Sequence, residues 1–422
     1  MVREIQSEPC PSCGEEYPVV PGYVSWCDHC LYNVNPLADE EKKTFMERAY
    51  LSLGERNGKA LLDKMIQQKS EKPSLNVNDV MAYIFASLVH LVSLGLIFLA
   101  GYLLAVFYHE PILVITAVML LGVAWVARPR INRLEKEDVV LERSQLPELF
   151  GVLDDISDGL HIKRIDGVVL DGQFNAAIGQ VGLRKKVILR IGMPLFSIMT
   201  PEERLALLGH ELGHLANGDL SRGGYIGTAM NTLATWYQVI HPGIPSEHDE
   251  VGVLEWISSF FLRGIAFFPK SGYYLLLYLL YFNSQQAEYY ADYAGARVAG
   301  GEASKMVLEK LQYHDTYAYS VRKTALSNDK TDLYSFFTHQ LDTMPQREKL
   351  RLKKINEMEK SKVDETHPPT HYRMNYLESK QMIDPLIEID QERAERLDKE
   401  LASYRKEIQE TLVEEYRYYS GW

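Results

Sequence analysis

Beyond residue 30 this 422-residue chain has no cysteine. A disulfide framework running through its body is therefore excluded. Basic residues are also short: 45 Lys and Arg stand against 57 Asp and Glu, a net charge of −12. Without a basic domain to neutralise phosphates, nucleic acid is not expected as a partner. No apolar run precedes residue 80, so the pattern of a secretory signal is missing. Glycine-rich nucleotide motifs are absent, which argues against an ATP requirement in cis. Internal repeats and long low-complexity tracts are absent as well.

What is present begins with the four cysteines, Cys10-x-x-Cys13 and Cys27-x-x-Cys30. Two such knuckles around a short loop form the pattern of a zinc ribbon, with a spacer slightly shorter than the commonest range. A pair of disulfides or a redox C-x-x-C is the alternative. With no secretory context, structural zinc is the expectation. A module of about 37 residues cannot bury enough surface to fold alone, so the metal would supply its stability.

Val80 to Phe107 is almost wholly apolar, and Pro111 to Ala127 forms a second run; Tyr108-His109-Glu110 joins them. The first is long enough to cross a bilayer, and the second is near the lower limit. Arg128, Arg130 and Arg133 follow, whereas the connecting loop has no Lys or Arg. The positive-inside rule therefore places the N-terminus and the segment after residue 128 in the cytoplasm. A weaker pair of apolar stretches, about 223–283, surrounds an acidic loop at 241–252 and suggests a second hairpin, crossing the bilayer or lying in its interface.

His210-Glu211-Leu212-Gly213-His214 is an H-E-x-x-H motif inside a helix with readable ends. Thr200-Pro201-Glu202-Glu203 predicts a capping box, and Asn217-Gly218 predicts the stop. One helical turn separates His210 from His214, so both imidazoles can hold one zinc ion. Glu211 stands beside them as the base for a zinc-activated water. A hydrolytic zinc needs a third protein ligand and an open position. Glu288 is the candidate, and Asp292, four residues on, lies on the same helical face. There it can accept a hydrogen bond from a ligand histidine and fix its tautomer.

In four segments, in order, the chain resembles the integral-membrane zinc metalloproteases of the HtpX and CAAX-prenyl-protease type. They are Phe174-Asn175-Ala176-Ala177-Ile178-Gly179; Val187 to Gly192 running into Leu205 to Asp219; Ala287 to Asp292; and Thr366-His367-Pro368-Pro369-Thr370 with Arg373 and Met374. The resemblance covers about residues 145–377. It implies zinc held by His210, His214 and Glu288, with Glu211 as general base. It further implies that His367 and Asn175 contact the substrate carbonyl or the oxyanion. The segment at Asn175 reads as an edge strand to which an extended polypeptide could add. One departure stands out: where the family has S-R-x-x-E, Ser284 is followed by Gln285, so an arginine that organises the site is missing there.

The expected architecture is α+β and mainly helical. A zinc ribbon (1–37) and a helical linker (38–78) precede a transmembrane hairpin (79–128). A gluzincin-type metalloprotease domain with a small sheet (129–377) contains the second hairpin, and a C-terminal amphipathic helix (378–422) follows. Its charges alternate around Leu397, Leu401, Tyr404, Ile408 and Leu412, and it could pack on its own domain or on a partner. The basic run Arg347 to Lys354 reads as a solvated face or a membrane-surface contact. The implied function is a multi-pass membrane zinc endopeptidase with its active site facing the cytoplasm, two zinc ions, and polypeptide and lipid as partners. Membrane-protein quality control is the role the resemblance implies. Prenyl-protein processing is a second option, and a membrane-anchored scaffold recruiting partners through the ribbon is a non-enzymatic one.

Overall fold

A computed structural model describes residues 6–36, 45–68, 77–129, 133–182, 184–241, 253–327, 331–358, 367–380 and 383–420. Almost all of the acidic loop at 241–252, Arg130 and Thr366 lie outside those residues. The ribbon has two short antiparallel strands, β1 (Gln6–Pro9) and β2 (Glu16–Val19), in register from Gln6 opposite Val19. α1 (Phe45–Gln67) follows. It buries Leu61, Leu62 and Met65 against Tyr289, Tyr290, Tyr376 and Leu377, so the described part of the linker segment is packed structure.

The first apolar pair forms the expected hairpin, α2 (Val77–Val106) and α3 (Pro111–Ala127). Small buried residues, Ala100 on α2 and Ala117 and Ala124 on α3, suit close approach of the two, and the Ser93 hydroxyl donates to the Ala127 carbonyl. Ala82 and Ala86 pack instead against the second apolar pair. Their other faces leave Leu88, Leu91, Leu94, Phe98, Ile112, Ile115 and Val118 exposed. Contiguous apolar surface on this scale marks contact with lipid or a partner.

α4 (Pro147–Leu160) opens the part of the chain that follows the hairpin. Its first free N–H groups, those of Glu148 and Leu149, donate to the Glu400 carboxylate at 2.8 and 2.9 Å, so a distant helix caps it. A three-stranded sheet follows in the order β3-β5-β4. β3 (Gly167–Asp171) pairs parallel with β5 (Lys186–Gly192), and β4 (Ala176–Val181) pairs antiparallel with it, leaving β4 at the edge. α5 (Met193–Ser197) leads into α6 (Pro201–Ala216), which carries the zinc motif. The predicted capping box is present: Thr200 Oγ1 accepts from the Glu203 amide at 3.3 Å, and Glu203 accepts from the Thr200 amide at 2.7 Å.

α7 (Asp219–Ile240) and α8 (Val253–Ala299) form the second apolar pair. The apolar stretch before residue 283 and the segment carrying Glu288 are one 47-residue helix, continuous through Pro269. Among the described residues, α2 and the α8 segment from Ile257 onward are long and apolar enough to span a membrane; α3 is apolar but shorter. The remainder is helical: α9 (Gly301–Lys310), a 3-10 turn at Leu311–Tyr313, α10 (His314–Leu326), α11 (Leu333–Thr343), α12 (Gln346–Met358), α13 (Thr370–Ser379) and α14 (Gln391–Ser420). α14 packs on its own domain: Leu397 and Leu401 join the core of α4, α6 and the sheet, and Asp398 pairs with Arg204 at 2.7 Å.

Candidate active site

The site forms where α6 crosses α8. A Cβ on Gly213 would sit 2.8 Å from Ala294 Cβ and 3.0 Å from Ala291 Cα. Only glycine lets the two backbones approach this closely, and that approach carries Glu288 to the histidine pair. His210 Nε2 lies 3.6 Å from Glu288 Oε2, and His214 Nε2 lies 3.6 Å from Glu288 Oε1. The three candidate ligand atoms fall within 4.8 Å of one another. A tetrahedral ion with zinc–nitrogen and zinc–oxygen bonds sets its donors ~3.3–3.6 Å apart. Glu288 is buried, and its Oε2 accepts no hydrogen bond among the described residues. A buried carboxylate facing two imidazole nitrogens, with one oxygen lacking a hydrogen bond, fits a divalent cation.

Each histidine presents Nε2 to that centre and Nδ1 to a carboxylate behind it. His210 Nδ1 lies 3.1 Å from Asp292. His214 Nδ1 lies 3.2 Å from Asp219, a partner that spacing alone does not reveal. Gly218 makes that contact possible: its φ of +75° reverses the chain between α6 and α7, a conformation that glycine adopts freely. Such carboxylates fix the imidazole tautomer and raise ligand basicity. Burial lowers the His214 pKa, but Glu288, Asp219 and Glu211 outweigh it and raise it to about 9. A proton and a metal ion would therefore compete for its Nε2.

Arg373 places a buried cation behind the candidate ligands. Its guanidinium donates to both Asp292 oxygens at 2.6 and 2.8 Å, and Nη1 lies 3.5 Å from Glu288 Oε2. Burial disfavours its charge, and the Asp292 carboxylate more than offsets that, holding Arg373 above the ordinary arginine range. It comes from α13, in the segment flagged by His367, although its partner is not readable from the sequence.

Glu211 is buried in the floor of a cleft of about 890 Å³. His210, His214, Glu288, Asn175, His367 and the β4 edge line the same cleft, so it gathers every residue expected at the catalytic centre. His367 is half exposed, with Nε2 3.4 Å from Glu288 Oε1. Asn175 is exposed just before β4; its side-chain oxygen accepts from the Ala176 amide at 2.8 Å, and its carbonyl from the Gly192 amide at 2.8 Å. Ala176 to Gln180 of β4 face the cleft, giving it a strand edge as one wall.

The four cysteines also converge. Cys10 and Cys30 sulfurs are 3.6 Å apart, and Cys13 and Cys27 sulfurs 3.7 Å. These distances exclude disulfides and match the ~3.7–3.8 Å edge of a tetrahedral zinc–thiolate site. Burial raises the Cys10 pKa, but backbone N–H donation from Cys13 and Ser12 outweighs it and draws it down to about 7. Within the basic run Lys353 is exposed, but Arg347 and Arg351 are not solvated. Arg347 donates to the Asp28 carboxylate at 2.7 and 3.1 Å and to the Trp26 carbonyl, and its guanidinium stacks 4.8 Å from the Trp26 ring. Arg351 donates to the Val34 carbonyl at 2.8 Å. Two arginines one turn apart thus clamp the ribbon to α12.

Known proteins resemble the chain over the region that holds these residues. The model of peptidase family M48 matches residues 152–381, which contain both ligand helices and the Arg373 segment. A protease HtpX homolog of Pyrobaculum calidifontis is 26% identical over 250 residues, 55% of this chain and 67% of that protein. Protease HtpX of Stutzerimonas stutzeri is 27% identical over 134 residues, covering 31% and 44% of the two chains. Protease HtpX of Chromohalobacter salexigens is 25% identical over 178 residues, covering 39% and 55%. This chain therefore spans about two thirds of the first relative's length and about half of the other two. No solved structure matches it. The chain belongs to peptidase family M48.

Proposed function

We propose that this chain is a membrane-embedded zinc endopeptidase that cleaves polypeptides at the cytoplasmic face, in membrane-protein quality control. The observation that carries the reading is the convergence of His210, His214 and Glu288 from two helices within 4.8 Å, at the floor of a cleft walled by a strand edge. These three side chains would hold the metal. When bound, zinc supplies Lewis acidity, which lets water ionise near neutral pH and polarises a carbonyl.

The chain's own groups do the rest. Asp292 and Asp219 hold the two imidazoles by their Nδ1 atoms, so both Nε2 atoms stay directed at one point. Glu211 takes the proton of the attacking water and returns it to the leaving amide nitrogen. β4 offers backbone groups to an extended substrate, which selects for an unfolded strand more than for a sequence. Asn175 and His367, at the cleft rim, donate to the substrate carbonyl as its oxygen gains charge. Arg373 neutralises the buried carboxylates around the centre.

The helix arrangement supports the membrane assignment. Asp79, in the first turn of α2, lines the cleft, as do Asp219 and Gly223 at the start of α7 and Glu288 near the end of α8. All these helices therefore leave the cleft from one side, which suits two hairpins with the site at one membrane face. Arg128 stacks 3.7 Å from the Trp125 ring at the end of α3, an aromatic and basic pair of the kind found at a cytoplasmic interface.

Glu211→Gln tests the reaction. In detergent with zinc, the wild type should cleave β-casein, and the variant should lose about 10²–10⁴-fold in rate while keeping its metal. Equal turnover by the two would remove Glu211 from the mechanism.

A further inference from the structure

We propose that Arg347 and Arg351 are positioning residues that make the metal-loaded ribbon a brace for the cleft wall. The inference rests on the proteolytic reading above and adds to it a means of setting substrate affinity. Arg347 reaches Trp26 and Asp28, the residues on either side of the metal ligand Cys27. The second knuckle would lose that shape without an ion on its thiolates, because so small a module has little other core. Trp26 is fully buried under the Arg347 guanidinium, so the contact is packed as well as charged. Glu348 holds Arg351 in place through bonds of 2.7 and 2.8 Å.

Nine residues beyond Arg347, about 13 Å along α12, Asn356 lines the catalytic cleft. Its side-chain amide donates to Gln312 at 3.3 Å, which lines the cleft too. Its carbonyl lies 3.1 Å from His371 Nδ1 on α13, two residues before Arg373. α12 therefore touches the ribbon at one end and the substrate cleft at the other. The zinc ligands sit on α6 and α8. Loosening α12 should thus weaken substrate binding more than the chemical step. Metal loss or thiol modification in the ribbon would be transmitted to the protease as a higher KM.

The four cysteines make this testable without mutation, since all of them lie in the ribbon and none at the catalytic centre. Treating the zinc-loaded full chain with p-hydroxymercuribenzoate should release one of two zinc ions, counted with a chromogenic chelator. Hydrogen exchange should then quicken in α12 and α13, and KM for β-casein should rise about fivefold or more, with kcat held within about twofold. The Arg347→Ala/Arg351→Ala variant, with both zinc ions retained, should reproduce the exchange and KM changes, and Arg347→Lys alone should recover part of each. Unchanged exchange in α12 and α13, or faster exchange with KM unmoved, would overturn the proposal. If the wild type failed to cleave casein, the proteolytic reading would fall. The exchange result would still decide the brace: quickening in both helices would support it and none would refute it.

Discussion

Arg373 and Asp292 meet in a two-pronged, fully buried pair directly behind His210, at 2.6 and 2.8 Å. Asp292 contacts His210 Nδ1 as well, so one arginine fixes a carboxylate that in turn fixes a metal-binding ring. Removing one partner strands the other charge in the interior. Arg373→Ala should cost about 3–5 kcal/mol of stability. It should also weaken zinc binding by about 10–100-fold. Arg373→Lys keeps the charge but loses the fork and should fall between the two. Thermal melts and zinc titrations read both effects; wild-type zinc affinity in Arg373→Ala would refute the positioning role.

The crossing of α6 and α8 is equally exposed to test. Gly213→Ala sets a methyl 2.8 Å from Ala294 Cβ, and neither helix backbone can yield cheaply. We expect about 1–3 kcal/mol of destabilisation, with weakened zinc binding as Glu288 is pushed from the histidines. Gly95→Ala on α2, where nothing lies within 4 Å of the new atom, is the control and should be near neutral.

The legibility of this chain follows physical range. His210, Glu211 and His214 could be read directly because a helix converts spacing of four into one face, and Thr200 to Glu203 marks where that helix begins. The ribbon was legible for a similar reason, since each C-x-x-C is a local turn. Asp219 and Arg373 were not assigned their partners, because those contacts depend on how α7 and α13 return to α6. The basic run misled: Arg347 and Arg351 look solvated by spacing, yet they are nearly buried against carbonyls of a segment more than 300 residues away. Treating the apolar stretch and the Glu288 segment separately likewise hid that one continuous helix, α8, carries both.

A pH test comes from the sheet. Burial raises the Asp138 pKa, but the hydrogen bond and charge of Arg190, at 2.6 Å, together with the Glu135 amide, outweigh this and hold the carboxyl below its ordinary range. A depressed folded-state pKa adds stability that is present above the unfolded value of about 3.9 and is lost as pH falls through the folded value. The stability gap between wild type and Asp138→Asn should therefore be constant near neutral pH and narrow below about pH 4. Chemical denaturation at several pH values reads this, and a gap independent of pH would contradict it.

Topology can be probed in cells. A cysteine placed at Ser246, between α7 and α8, should react with a membrane-impermeant maleimide from outside, and one placed at Glu135, after α3, should not. Labelling of Ser246→Cys only after the membrane is opened would rule out two crossings by the second pair.

The account depends most on one divalent ion shared by His210, His214 and Glu288. Zinc analysis of the purified chain beside Glu288→Ala tests it directly. We predict two zinc ions per chain in the wild type. The variant should hold one, kept by the four cysteines, and show no casein cleavage. A Glu288→Ala protein that retained both zinc ions and wild-type cleavage would contradict the account.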